Sequence, residues 1–142
     1  MPIANFYTSV SVEKTLTEIQ QILIKHGASK VIFDYENQIP VNLTFACPYA
    51  GTTIFFSLPC RFTGILKICK SQGTPVNAEQ ARKIGWRILK DWIKAQLSIV
   101  EQEMAELPEV FMQYGVTRNG ERLYDYIKSL DRNSTPLMLE NE

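Results

Sequence analysis

Few side chains in this sequence are equipped for chemistry. One histidine, His26, and three cysteines, Cys47, Cys60 and Cys69, are all it offers toward nucleophilic catalysis or a zinc site. A cysteine or serine nucleophile needs a neighbouring base to take its proton. His26 falls near the end of a helical run, on its inner face, and reads as a packing or end-capping side chain. Structural zinc takes four ligands at characteristic close spacings, but no two cysteines stand as C-x-x-C and only one histidine could join them. The odd number of thiols suits a reduced, cytosolic protein. Asp34, Glu36 and Asp91 could meet in space as paired carboxylates, although nothing in their spacing requires it. Gly51, Gly64 and Gly73 are scattered rather than gathered into a phosphate loop. The expectation is a non-enzymatic protein with no metal and no cofactor.

Charge is more informative. Fifteen basic and fifteen acidic residues cancel, so no global field draws in nucleic acid or an anionic membrane, and any electrostatic recognition must be local. Lys83, Arg87, Lys90 and Lys94 recur at i, i+4, i+7 and i+11, forming one ridge about 17 Å long on a helix. Glu101, Glu103, Glu106 and Glu109 crowd the far end. This order opposes the helix dipole, which favours acids early and bases late, and like charges at i, i+4 repel. Helix stability therefore does not explain the ridge. It is a candidate phosphate-binding surface; the alternatives are internal pairing and a solvated face. Gln96 lies within the apolar arc of the same helix. A buried amide requires partners, so it is expected to bond a backbone group or to read a ligand.

The elements that position these residues follow from hydrophobic period. Val12, Leu16, Ile19, Ile22, Leu23 and His26 share one face of a helix that Ser9 or Ser11 can cap and Gly27 can close. The period then changes to two: strands are expected over 31–35, 39–47 and 52–58, with turns at 36–38 and 48–51 and Pro59 closing the third. The stretch 61–71 is ambiguous between helix and strand; Phe62, Ile65, Leu66 and Cys69 fit a short helix, which Gly64 weakens. Asn77 caps a long helix, Gln80 completing a capping box, and this helix is expected to reach about Glu106, just before Pro108. Shorter helices are expected over 109–114 and 123–130. The fold class is α+β: a three-stranded antiparallel sheet with helices packed on one face, in the order α-β-β-β-α-α-α. Residues 1–130 make one domain, and 131–142 read as a polar C-terminal tail. The opening Met1-Pro2-Ile3-Ala4-Asn5 does not read as a signal peptide, and no apolar stretch approaches the roughly 18 residues of a membrane span.

The long helix is apolar over roughly 220° of its circumference, more than a surface helix normally needs. The sheet can cover one side. The terminal helices or a second copy must cover the other, so a homo-oligomer is expected with Trp86, Ile93 and Leu97 near the contact.

The stretch Trp86-Arg87-Ile88-Leu89-Lys90-Asp91-Trp92-Ile93-Lys94-Ala95-Gln96-Leu97, followed by Leu107-Pro108-Glu109-Val110-Phe111, resembles a family of small uncharacterised proteins encoded by bacteriophages, prophages and bacterial mobile elements. The helix from Ser11 to Gly27 is similar to theirs as well. The resemblance implies a bacterial cytoplasmic setting and an accessory role; it carries over no functional residue, since the family has no assigned activity. The α-β-β-β-α order also resembles the double-stranded-RNA-binding domain, where Arg82, Lys83 and Arg87 would face phosphates, although the extra helix before the long one departs from that pattern. The expected function is a non-catalytic accessory protein that binds a host protein or a small signalling molecule, a host-defence antagonist being one such role. The alternative is a nucleic-acid-binding accessory protein that uses the basic ridge.

Overall fold

In the computed structural model, which describes residues 2–117 and 119–130, the chain forms the expected α+β arrangement. Helix α1 spans Val12–Lys25; strands β1 (Lys30–Glu36), β2 (Ile39–Tyr49) and β3 (Thr52–Pro59) follow, then α2 (Thr63–Ser71), α3 (Ala78–Glu101), α4 (Leu107–Phe111), a 3-10 turn at Met112–Tyr114, and α5 (Leu123–Ser129). The three strands form one antiparallel sheet in the order β1-β2-β3. The tail expected from 131 lies outside the described residues. Among the described residues no helix is long and apolar enough to cross a membrane.

Alternation decides which side of the sheet is covered. Leu43, Phe45 and Cys47 of β2, with Phe56 and Leu58 of β3, join Leu16, Ile19 and Leu23 of α1, Trp86, Ile93 and Leu97 of α3, and Phe111 of α4 in one core. Phe45 stacks on Phe56 at 5.1 Å, and Phe111 meets Phe45 edge-on at 5.2 Å, both favourable ring geometries. The opposite face carries a polar cluster in which the Asn42 amide donates toward Asp34 at 3.1 Å, Thr44 at 3.2 Å and Ser57 at 3.1 Å.

The helix ends share one device. After α1, Gly27 takes a positive φ of 102°, its N–H bonds Ile24 O, and Ala28 N–H bonds Leu23 O. After α2, Gly73 at φ 76° repeats this with Lys70 O and Cys69 O. Both are Schellman closures, which satisfy the orphan carbonyls of the last turn. After α3 the same closure falls on Glu103 at φ 59°, with Glu103 N–H bonding Val100 O and Met104 N–H bonding Ile99 O. The long helix therefore ends at Glu101, five residues before the expected Glu106. With no glycine at the closing position, the sequence hides the stop.

Two further contacts fasten the helices. His26 caps α1, its ring nitrogens lying 2.8 Å from Ile22 O and 2.8 Å from the Glu101 carboxylate, which ties the ends of α1 and α3 together. Asn77 accepts from Gln80 N–H at 2.7 Å as expected of a cap. The Gln80 side chain does not close the capping box, however: its amide donates to Phe6 O and Thr8 O, holding the N-terminal segment to α3.

Candidate functional site

The apolar second side of α3 is covered only in part, and the gap is a groove. Gly85, Ile88, Leu89 and Trp92 recur at i, i+3, i+4 and i+7 along α3 and line one wall, as helical geometry requires. The other wall is Pro59, Cys60 and Arg61, where the chain leaves β3, with Ile65 of α2 and Tyr114 of the 3-10 turn. The volume is about 420 Å³, within the range typical of small-molecule pockets.

Each wall has a local cause. Cys60 N–H bonds Val41 O at 2.9 Å, extending the β3 pairing one residue beyond the strand. Gly85 lets α2 and the Cys60 segment approach α3 closely: a Cβ there would sit 3.3 Å from Cys60 Sγ and 3.4 Å from Ile65 Cδ1. Trp92 stands edge-on to Phe111 at 5.6 Å and to Tyr114 at 5.7 Å, so its indole is braced rather than free to swing. Ile88 is 37% exposed, a large apolar side chain open to water at the rim.

Past Pro59, Arg61 and Tyr114 the groove continues into a second hollow of about 240 Å³, reached by Gln113, Arg122 and Tyr124. A small antiparallel arrangement holds this arm in place: Val116 N–H bonds Phe55 O at 2.8 Å, and Leu123 N–H bonds Gly115 O. Arg122 lies 5.8 Å over the Tyr114 ring and pairs with Asp125 through two contacts of 3.0 and 3.3 Å. Arg61 is exposed and has no carboxylate partner among the described residues. The composite cleft is thus apolar and aromatic at one end, with Arg61 as its free cation among the described residues at the junction and Arg122, held in an ion pair with Asp125, in the arm beyond. Burial pushes the Cys60 thiol up to about 12, so it lines the cleft as a neutral group. Burial likewise raises Cys47.

The residues singled out from sequence fall elsewhere. The basic ridge does not stand free. Arg87 donates to Glu18 of α1 at 2.6 Å and reaches Thr15 at 3.4 Å, and Lys90 Nζ is 3.8 Å from the same Glu18 oxygen. Their side chains are only 16% and 13% exposed, because this side of α3 packs on α1. The hydrogen bond from Arg87 holds the Glu18 carboxyl below its ordinary value; burial opposes this, and the charges of Arg87, Lys90 and Lys14 reinforce it. Lys94 is exposed and Lys83 half-buried.

Gln96 is half-buried and makes no side-chain hydrogen bond among the described residues. The expected buried, bonded amide is corrected, since the α3 side facing the sheet is centred on Trp86, Ile93 and Leu97 rather than on Gln96. Those three, expected at a contact between copies, are 0%, 0% and 1% exposed within a single chain. A second copy cannot reach them while the fold is intact. Asp91 accepts from Asn5 at 3.0 Å and Asp34 from Asn42, so each of these carboxylates is engaged separately.

Arg61, Tyr114, Arg122 and Tyr124 were not among the candidates from sequence. No spacing links them, and they converge only because the segment after α4 returns to β3. Comparison with protein-family models, with curated proteins and with solved structures finds no match to this chain.

Proposed function

We propose that this chain is a non-catalytic binding protein, an accessory of a bacteriophage or mobile element acting in the bacterial cytoplasm, and that its cleft captures a small anionic molecule with a flat or apolar body. The observation that carries this reading is the joining of an Ile88–Trp92 apolar wall to an arginine-bearing arm through Arg61. Guanidinium groups match phosphate and carboxylate geometry, while aromatic edges and aliphatic side chains accept a ring. Small signalling molecules built from nucleotides combine these two features, and a protein that sequesters one would act as a host-defence antagonist. The chemistry of the lining fits binding rather than turnover: Cys60 is held protonated, and His26 lies outside the cleft, engaged with Ile22 O and Glu101 at the C-terminal end of α1. The ridge favours a nucleic-acid surface less, because Glu18 already occupies two of its four cations.

Anilinonaphthalene sulfonate, an anion on a flat aromatic body, is a direct probe. Its fluorescence should rise on saturable, one-to-one binding to the native protein. Ile88→Glu should abolish that signal and Arg61→Glu should weaken it about tenfold, with circular dichroism unchanged. Binding unaffected by both substitutions would refute the cleft as the site.

A further inference from the structure

The two edges of the sheet are treated differently. Beyond β3, the Gly115–Val116 segment bridges to Phe55 and Phe56 and covers the middle of that edge. Beyond β1, its outward N–H and C=O groups have no strand partner among the described residues. An open edge is a template for another strand. The core runs out at this edge too. Val31 and Phe33 point toward it but are only half-buried, Phe33 meeting Trp86 edge-on at 5.9 Å. On the other face of the strand Ile32 is 43% exposed.

We propose that β1 pairs antiparallel with β1 of a second copy of this chain, about a twofold axis at Ile32, joining two three-stranded sheets into one of six strands. The charge pattern selects this occupant and this register. A perpendicular twofold axis keeps each face on its own side, so Lys30, Ile32 and Asp34 of one copy meet the same three residues of the other in reverse order. Lys30 then faces Asp34 of the second copy at both ends of the strand, and Ile32 faces Ile32. On the inner face Val31 meets Phe33, so each core gains cover where it is now open. Every cross-strand row from 30 to 34 sets opposite charges or two apolar side chains together, the combinations that stabilise paired strands. Centring on Phe33 instead would set Ile32 against Asp34. The proposal does not rest on the cleft, which lies on the β3 side of the sheet.

Light scattering of the full chain at tens of micromolar tests it, alongside amide hydrogen exchange at two protein concentrations. The wild type should show twice the 16.3 kDa chain mass, with amides in 30–34 protected more at the higher concentration. Lys30→Glu and Asp34→Lys should each place like charges opposite one another and weaken association about tenfold. The double variant, carrying both, restores opposite charges and should regain the dimer. A wild-type mass of 16.3 kDa overturns the proposal. So does a dimer indifferent to both single variants, and so does a double variant that stays dissociated, the outcome expected of the Phe33-centred register.

Discussion

Removing the Glu18 charge isolates what the basic ridge does for the fold. In Glu18→Gln the carboxylate that Arg87 meets at 2.6 Å and Lys90 at 3.8 Å becomes a neutral amide. The amide oxygen can still accept from Arg87, as Thr15 does at 3.4 Å, so the variant removes the charge and keeps an acceptor. Fully exposed pairs contribute about 0.2–1 kcal/mol, and breaking a fully buried one costs about 3–5 kcal/mol. With side chains 29% and 16% exposed, this pair lies between those limits. A loss of about 1–2 kcal/mol is expected, or roughly 3–8 °C in Tm for a chain of this size. The pH dependence gives the sharper check. The Glu18 carboxyl is held below the ordinary glutamate value of 4.5 by its bond to Arg87. A carboxylate with a lowered folded-state value stabilises fully above the unfolded value, and its contribution disappears as pH falls through the folded one. Wild type and Glu18→Gln should therefore differ at pH 7 and converge below pH 4.5. Thermal melts by circular dichroism between pH 3 and 7 measure both quantities. Equal Tm values at pH 7, or a gap that persists undiminished at pH 3, would show that the pair does not join α1 to α3.

Two further outcomes follow from the same structure. With all three cysteines buried and Cys60 held up to about 12, a thiol-disulfide reagent should titrate no fast thiol at pH 8 in the native protein and three after denaturation; a fast native thiol would contradict the burial of these groups. Glu103→Gly should stabilise the chain by about 0.5–1 kcal/mol, because Glu103 occupies the left-handed region at φ 59° where a Cβ is costly, and the change also removes an acid from the negative end of α3. A lowered Tm in that variant would mean Glu103 makes a contact worth more than its backbone strain.

Local chemistry determined the type and order of most elements, and for those the sequence was sufficient. The 3-4 spacing from Val12 to His26, the alternation through β2, the Asn77 cap and the closing glycine at 27 each act within a few residues, so periodicity and turn chemistry reveal them without knowledge of the fold. The short helix after Pro59 was legible only in part: Phe62, Ile65, Leu66 and Cys69 keep helical spacing, but Gly64 weakens the pattern and leaves a strand open until the fold places α2 against α3. The end of α3 was not, since a glutamate takes the left-handed position that glycine would have advertised. What the charged and apolar faces do was decided only by tertiary packing. The sequence leaves open whether Arg87 and Lys90 grip phosphate, pair internally or face solvent, until α1 brings Glu18 to Arg87 from 69 residues away and within reach of Lys90. Trp86, Ile93 and Leu97 read as a surface awaiting a partner until the sheet and α1 cover them. The cleft depends most on long-range packing: its walls come from the end of β3, from α2, from α3 and from the turn after α4. Each set of residues is unremarkable in its own stretch, and hydrogen bonds between distant backbone groups, rather than any pattern along the chain, bring Arg61, Trp92, Tyr114 and Arg122 to one place.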